Sequence, residues 1–285
     1  MNIRIHALAL VAVAGCAGAA VEPTEVATAP ATATATAPAT APAASDDLVP
    51  FSSAESMRRL DRSRHKVDFF RLANQFEGQE NGGMCGPTSA VIVLNTLRVE
   101  AADQEKPAYS AGFPDRYAAV LTRLPPGRSP IFQRYSQRGF FADPRVAAVK
   151  SEDRFYGAPG PDGKPDPGIQ LRQLHDMLVA LGLRSEIHVV ADDTADDEVR
   201  AALVGNLARG DDYVIVNYHR QKLDQEGGGH MSPVAAYDEA SDSFLVLDVN
   251  PNRGKAWAWV PARRLIGAMR THDTIENRGY LLVSE

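Results

Sequence analysis

Cys85, His230, Asp248 and Gln79 are the residues whose types and spacing could do chemistry. Cys85 closes the polar loop QENGGMC and opens an apolar run, GPTSAVIVLNTL. Pro87 and Thr88 suit the first turn of a helix, where a missing N–H costs nothing. The positions after them are apolar on every side, so the helix is expected to be buried. A thiol at a helix N-terminus feels the positive end of the aligned peptide dipoles, which lowers its pKa below the ~8.5 of a free cysteine. A thiolate is a nucleophile that a thiol is not. The same cysteine could instead be a small apolar residue at the start of a core helix, and taken alone it does not choose between the two.

His230 and Asp248 extend the chemistry. In GGGHMSPVAAYDEASDSFLVLDV the histidine stands at the mouth of one expected strand and the aspartate at the end of its partner. A hairpin brings such positions side by side, so the carboxylate can orient the imidazole. The glycines before His230 allow another backbone or a substrate to approach closely. Thiolate, base and orienting carboxylate are the roles a Cys–His–Asp set needs. Either residue alone reads more simply, His230 as a strand-end histidine and Asp248 as a turn residue before Asn250-Pro251. Gln79, six residues before Cys85, can place an amide donor beside the Cys85 N–H, where an oxyanion would form. On its own it would be a solvent-exposed loop glutamine. His219 has no second ligand at metal spacing, and no metal site or cofactor is expected.

The elements that must position these residues read as follows. A charged segment holds Met57 and Leu60 at helical spacing, and Phe69, Phe70, Leu72 and Phe76 are expected in the core. Residues 100–168 are rich in Pro, Gly, Arg and Tyr, with DPRVAAVK as the one expected short helix; a lid, a substrate wall and an insertion all fit. Leu171, Leu174, Leu178 and Leu181 mark a helix that stops at Gly182. SEIHVV alternates as a strand, and Thr194 is expected to cap a helix carrying Val199, Leu203 and Leu207 on one face. DYVIVNY, HMSPVAAY, FLVLDV and GYLLV read as strands of one sheet. Helices first and an antiparallel sheet after them make the fold class α+β.

The chain has 285 residues, 44% hydrophobic and 23% charged, ordinary for a globular protein. Its net charge of −6 argues against a nucleic-acid partner. With two cysteines, Cys16 and Cys85, no disulfide framework or CxxC metal site forms. Residues 1–15 have a basic start and an apolar run too short to span a bilayer. Val13-Ala14-Gly15-Cys16 looks like a bacterial lipobox, with Cys16 as the lipidated residue; an ordinary secretory signal cut near residues 17–20 is the alternative. Ala17, rather than an aspartate, after Cys16 points to the outer membrane, facing the periplasm. Residues 16–45 are a tether of Ala, Thr and Pro that cannot bury a core. Function is therefore expected in residues 46–285, with membrane contact only through the Cys16 anchor.

The domain resembles the phytochelatin synthases, a branch of the papain-like cysteine peptidase group. FFRLANQFEGQ, the Cys85-Gly86 step, VLNTL, QRGFFADPRVAAV, GIQLRQLHDMLVALGL, YVIVNYHR and the GGH, SP, AAYD and FLVLDV pieces carry the resemblance. It implies a papain-like fold in which helices, one headed by the catalytic Cys85, pack on the C-terminal sheet. It also implies Cys85 as nucleophile, His230 as base and acid, Asp248 as orienting group and Gln79 as oxyanion donor, with Gly229, Ser232 and Arg253 in contact with substrate. The implied reaction opens the Cys–Gly bond of glutathione, releases glycine and passes the γ-glutamylcysteinyl group to a second glutathione or to water. Cadmium or zinc would enter as metal–glutathione thiolates. The chain departs from the family where Gly82, Gly83 and Met84 replace a bulky, proline-ending segment. It departs again after Asp248, where VNPNRGKAWAW sets Pro251 at the place of an arginine linked to the acceptor. The cysteine-rich C-terminal region of plant relatives is replaced by nothing comparable, as in bacterial half-length forms. Leader peptidases that process bacteriocins share a Gln upstream of Cys-Gly, and a non-catalytic peptide- or metal-binding lipoprotein is the reading from another class.

Overall fold

A computed structural model describes residues 46–98, 108–109, 123, 125, 132–252 and 257–285. The chain divides into two units, residues 1–40 and 41–285, and all described residues lie in the second. Cys16 and the tether fall outside them.

The second unit is built on a seven-stranded antiparallel sheet. Its strands are β1 (Val49–Pro50), β4 (Arg184–Val189), β5 (Asp212–His219), β6 (Gly229–Asp238), β7 (Ser243–Leu247), β8 (Trp257–Pro261) and β9 (Gly279–Ser284), in the order β1-β8-β7-β6-β5-β9-β4. A separate pair joins β2 (Ala108–Tyr109) to β3 (Phe132–Gln133). Among the described residues the α-helices are α1 (Ala54–Arg62), α2 (Val67–Asn74), α3 (Cys85–Arg98), α4 (Gln137–Ala142), α5 (Pro144–Val149), α6 (Glu152–Phe155), α7 (Leu171–Ala180), α8 (Asp196–Leu207) and α9 (Ala262–Met269). The class is α+β, as expected.

The central strands are continuous apolar runs because helices cover both faces of the sheet. Tyr213 and Ile215 of β5 point into a core shared with α3 and α7, around Val91, Ile92, Leu174 and Leu178. Val214, Val216 and Tyr218 point the other way, against Leu203 and Leu207 of α8 and Leu265 and Ile266 of α9. Each such fully buried aliphatic side chain stabilises the fold by roughly 1.5–3 kcal/mol. Packing is tightest where Gly279 of β9 faces β4, since a side chain there would run into the His188 carbonyl. Gly182 ends the α7 turn with φ +87°, a backbone that suits glycine.

Three local expectations are corrected. Phe70 is 61% exposed rather than in the core; Met57 and Leu60 lie on α1 as expected, but the side chains this helix turns inward are Ser56 and Arg59, where Ser56 accepts from Trp259 Nε1 and Arg59 donates to Ser243. Thr194 does not cap α8: Ala195 is the cap residue, and the Thr194 hydroxyl accepts from the Ala191 N–H to close the preceding turn. DPRVAAV is α5, but α4 and α6 flank it, each capped by a serine, Ser136 and Ser151. The GAPGPDGKPDPG loop, residues 157–168, joins this group to α7. Its end brings Ile169 against Gly86, and Phe155 before it packs against Gly83, so this region walls the start of α3.

Candidate active site

Cys85 is the first residue of α3 and is partly buried. Behind it Gly86 to Thr96 are all buried, so the helix is fixed and its first turn cannot wander. The Ser89 hydroxyl donates to the Cys85 carbonyl at 2.8 Å and lies 3.2 Å from the Met231 carbonyl, tying α3 to β6. Gly86 is small for a reason: a Cβ there would stand 3.2 Å from the Met231 sulfur. The sequence places the thiol; the helix–strand contact sets its distance from the strand that carries the histidine.

His230 is the second residue of β6 and is 4% exposed; Asp248 follows β7 and is 2% exposed. The His230 Nε2 lies 2.8 Å from Asp248 Oδ1, which leaves the other ring nitrogen for Cys85, the partner whose interaction with His230 lowers the thiol's pKa and raises the imidazole's. Asp248 holds more partners than the sequence suggests. Its Oδ1 also accepts from Arg220 Nη2 at 2.7 Å and from the Asn250 N–H at 2.9 Å, and its Oδ2 accepts from the Tyr218 hydroxyl at 3.3 Å. Tyr218 stands directly across from His230 in the β5–β6 ladder, with the rings edge to face at 5.6 Å.

The electrostatics follow from these contacts. Burial pushes the Cys85 thiol up, but the hydrogen bond and charge of His230, with the Met231 and Gly86 N–H groups, outweigh it, and the net pKa is lowered. Burial disfavours imidazolium at His230, yet Asp248 and Cys85 raise its pKa overall. Asp248 is pushed up by burial and brought below the ordinary range by His230, Arg220 and the Asn250 N–H. Burial, with the Asp248 carboxylate beside it, holds the Tyr218 hydroxyl well above 10, so it stays a donor. Opposed shifts on Cys85 and His230 favour the thiolate–imidazolium pair, the form that attacks a carbonyl.

Gln79 is 7% exposed and sits on the loop before α3. Its Nε2 donates to the Asn81 carbonyl at 2.5 Å, while its Oε1 is buried without a partner among the described residues. Gln137, inside the QRGFFADPRVAAV piece, braces this loop from α4. Its Oε1 accepts from the Glu80 N–H at 2.8 Å and the Thr88 hydroxyl at 2.7 Å, and its Nε2 donates to the Gly78 carbonyl at 2.9 Å. Beside the loop lies a cavity of about 1010 Å³, lined in part by Gln79, Glu80, Gln225, Glu226, Asn250 and Asn252.

The three residues expected to touch substrate separate. Gly229 is exposed, and a Cβ there would stand 2.8 Å from Arg278 Nη2; the glycine admits a buried guanidinium whose Nε has no acceptor among the described residues. Ser232 is a correction: it is 0% exposed and its hydroxyl donates to the Met231 carbonyl, so it offers no surface to a substrate. Arg253 lies outside the described residues. Gln137, Tyr218, Arg220 and Arg278 were missed. Arg220 and Tyr218 stand in YVIVNYHR, where only a strand-and-turn reading with a carboxylate at the far end of the hairpin could have flagged them.

A thiol heading a buried helix, set against an imidazole and carboxylate carried by an antiparallel sheet, defines a papain-like cysteine enzyme site. The model of the family described as phytochelatin synthase matches residues 40–116 and 164–280, and the chain belongs to that family. It is similar to glutathione gamma-glutamylcysteinyltransferase 3 of Lotus japonicus, with 34% identity over 76% of this chain and 37% of that one. It is 33% identical to glutathione gamma-glutamylcysteinyltransferase 2 of Arabidopsis thaliana, over 84% of this chain and 45% of that one. The chain thus spans less than half the length of these relatives. Among solved structures, xylellain, a cysteine protease from Xylella fastidiosa, aligns with a TM-score of 0.37 and 15% identity over 85% of this chain and 97% of that one. At that distance the fold assignment rests on the chain's own elements.

Proposed function

We propose that this protein opens glutathione at its Cys–Gly bond. The Cys85 thiolate attacks the carbonyl, His230 gives its proton to the leaving glycine amine, and a γ-glutamylcysteinyl thioester remains on Cys85. Asp248 orients His230, and the Cys85 N–H with Gln79 faces the oxyanion. The observation that carries this reading is the Cys85–His230–Asp248 set in a chain whose relatives are named for γ-glutamylcysteinyl transfer.

The thioester passes predominantly to water in this reading. Pro251 stands where the family resemblance sets an arginine linked to the acceptor, and its ring packs 3.1 Å from a Cβ position on Gly78. A ring packed there supplies no charge for an acceptor carboxylate. Cadmium or zinc enters as a glutathione thiolate complex, as part of the substrate. Cys16 carries the lipid that holds the domain in the bacterial envelope, at the outer membrane facing the periplasm.

Mass spectrometry of products after incubation with glutathione tests the reading. Equal amounts of glycine and γ-glutamylcysteinyl product are expected from the parent and none from Cys85→Ala. Cleavage of a double-glycine leader peptide with no turnover of glutathione would replace it with the leader-peptidase reading.

A further inference from the structure

Arg220 is the feature of the site that the three named catalytic roles do not use. It opens a 3₁₀ turn, Arg220–Leu223, directly after β5. The turn is anchored on both sides: the Arg220 N–H donates to the Gly228 carbonyl, and the Gln225 N–H donates to the Arg220 carbonyl. Its Nη1 donates to Gln225 Oε1 at 3.3 Å, and its Nη2 reaches Asp248 Oδ1 at 2.7 Å. The two side chains are 3% and 2% exposed. A cation so deeply buried persists only with a fixed counter-charge. Here the counter-charge is the oxygen that also receives His230 Nε2.

That sharing has a chemical consequence. A carboxylate whose charge is unopposed stabilises imidazolium strongly. His230 must hold a proton beside the thiolate and then give it to a leaving amine. Among the described residues, the ionisable groups that face the carboxylate are His230 from β6, Tyr218 from β5 and Arg220 from the turn, with Cys85 of α3 beyond the imidazole. Arg220 is the one permanent cation among them.

We propose that Arg220 is a positioning residue of this site: its guanidinium neutralises Asp248, so that the carboxylate fixes the His230 ring without holding its proton too tightly to release. The acceptor that His230 meets is then close to neutral, like an amide. Removing the cation uncovers the carboxylate and strengthens the imidazolium.

The test is the pH dependence of Cys85 alkylation by iodoacetate, read on the Cys85 peptide of the full chain by mass spectrometry. The rate rises as the thiolate forms and falls as the imidazolium, which attracts the anionic reagent, loses its proton. Arg220→Gln is expected to move that alkaline limb upward by about one pH unit or more, and Arg220→Lys to return it toward the parent. A folded Arg220→Gln whose limb coincides with the parent's overturns the proposal. If Arg220→Gln alone does not fold, Asp248→Asn is compared with the Asp248→Asn, Arg220→Gln double variant. The double should have the higher alkaline limb, because it lacks the cation, and the higher melting temperature, because it strands no charge. Coincident limbs, or a double variant no more stable than the single, reject Arg220 as the neutralising group. The proposal rests on the Cys–His–Asp reading of the site but not on its substrate, and alkylation uses no glutathione, so its failure is separable from failure of the glutathione reading.

Discussion

His230 and Asp248 share one face of the sheet because the β6–β7 register slips by one residue between Val234 and Ala236. Val234 pairs with Val246, but Ala236 pairs with Leu245. Carried toward the strand mouth, the first register sets Asp248 across from Ser232, on the same side as His230. The second register, continued without a slip, would set Asp248 across from Pro233, and its carboxylate would leave the opposite face. A single unpaired residue thus assembles the imidazole–carboxylate pair, since side chains alternate with period two.

The nucleophile is the first prediction. Cys85→Ala should reduce glycine release by roughly 10³-fold or more, and Cys85→Ser should recover little, because a serine hydroxyl lacks the accessible anion of a thiol. The parent should also show a bell-shaped pH profile. With Cys85 lowered and His230 raised, activity falls at low pH as the thiolate is protonated and at high pH as the imidazolium is lost. Parent-level turnover in Cys85→Ala would remove thioester chemistry.

Gln137 supplies the second. It satisfies one carbonyl, one N–H and one hydroxyl of the loop and helix that hold Gln79 and Cys85. Gln137→Ala leaves those groups unpaired, which costs about 1–3 kcal/mol for a buried group. A lower melting temperature is expected together with a fall in kcat. Unchanged stability and unchanged kcat would mean that the loop holds its place without α4.

The reach of sequence reasoning can be judged from these same residues. Cys85, His230 and Asp248 were legible because a helix start, a strand mouth and a strand end each leave a local mark. The α+β class was legible from the periodicities. The slip at Ala235 was not, because an extra apolar residue in an apolar strand changes no pattern. Arg220 and Gln137 were not, because each acts on residues 28 to 59 positions away. Phe70 misled for the opposite reason: apolar side chains also stand on solvent-facing helix surfaces.

Asp68 gives a prediction about stability. It is 0% exposed, its oxygens have no hydrogen-bond partner among the described residues, and burial, with the charge of Asp212 second, raises its pKa from 3.8 to about 8. For an acid raised on folding, the native state keeps a proton that the unfolded chain gives up. Nothing is lost below about pH 4. As pH climbs toward 8 the folded state loses stability, at roughly 1.4 kcal/mol per pH unit and up to ~4 kcal/mol at pH 7. Asp68→Asn should therefore melt above the parent at pH 7.5, with the difference closing near pH 4. A difference independent of pH would show that Asp68 is ionised in the folded protein.

The anchor is tested by fractionation. Cys16→Ala should move the protein from the membrane to the soluble envelope fraction, because a lipid chain contributes about 0.8 kcal/mol per buried methylene and the variant has no sulfur to carry one. If parent and variant are both soluble, the lipobox reading fails and an ordinary secretory signal replaces it.

The last prediction concerns the fate of the thioester. Transfer to a second glutathione needs its amine held at the thioester carbonyl on Cys85 while His230 removes a proton and the Cys85 thiolate leaves. Fixing two reactants in this way is worth several orders of magnitude, up to about 10⁵–10⁸ M in effective concentration. The described part of the loop after Asp248 offers Asn250, Pro251 and Asn252 to that space; Pro251 is packed on Gly78, and Asn252 donates to Asn250 Oδ1 within the same turn. The nearby cavity is lined by four carboxylates, Asp47, Glu80, Asp224 and Glu226, and by one arginine, Arg264, which is already paired with Asp224, so the lining favours no second carboxylate. At millimolar glutathione with cadmium, γ-glutamylcysteine should therefore exceed the two-repeat phytochelatin. A product pool dominated by two- and three-repeat phytochelatins would sink this expectation and make Arg253 or Lys255 the replacement anchor. Arg253→Gln and Lys255→Gln would then be expected to shift the products back toward γ-glutamylcysteine while leaving glycine release from the first glutathione intact.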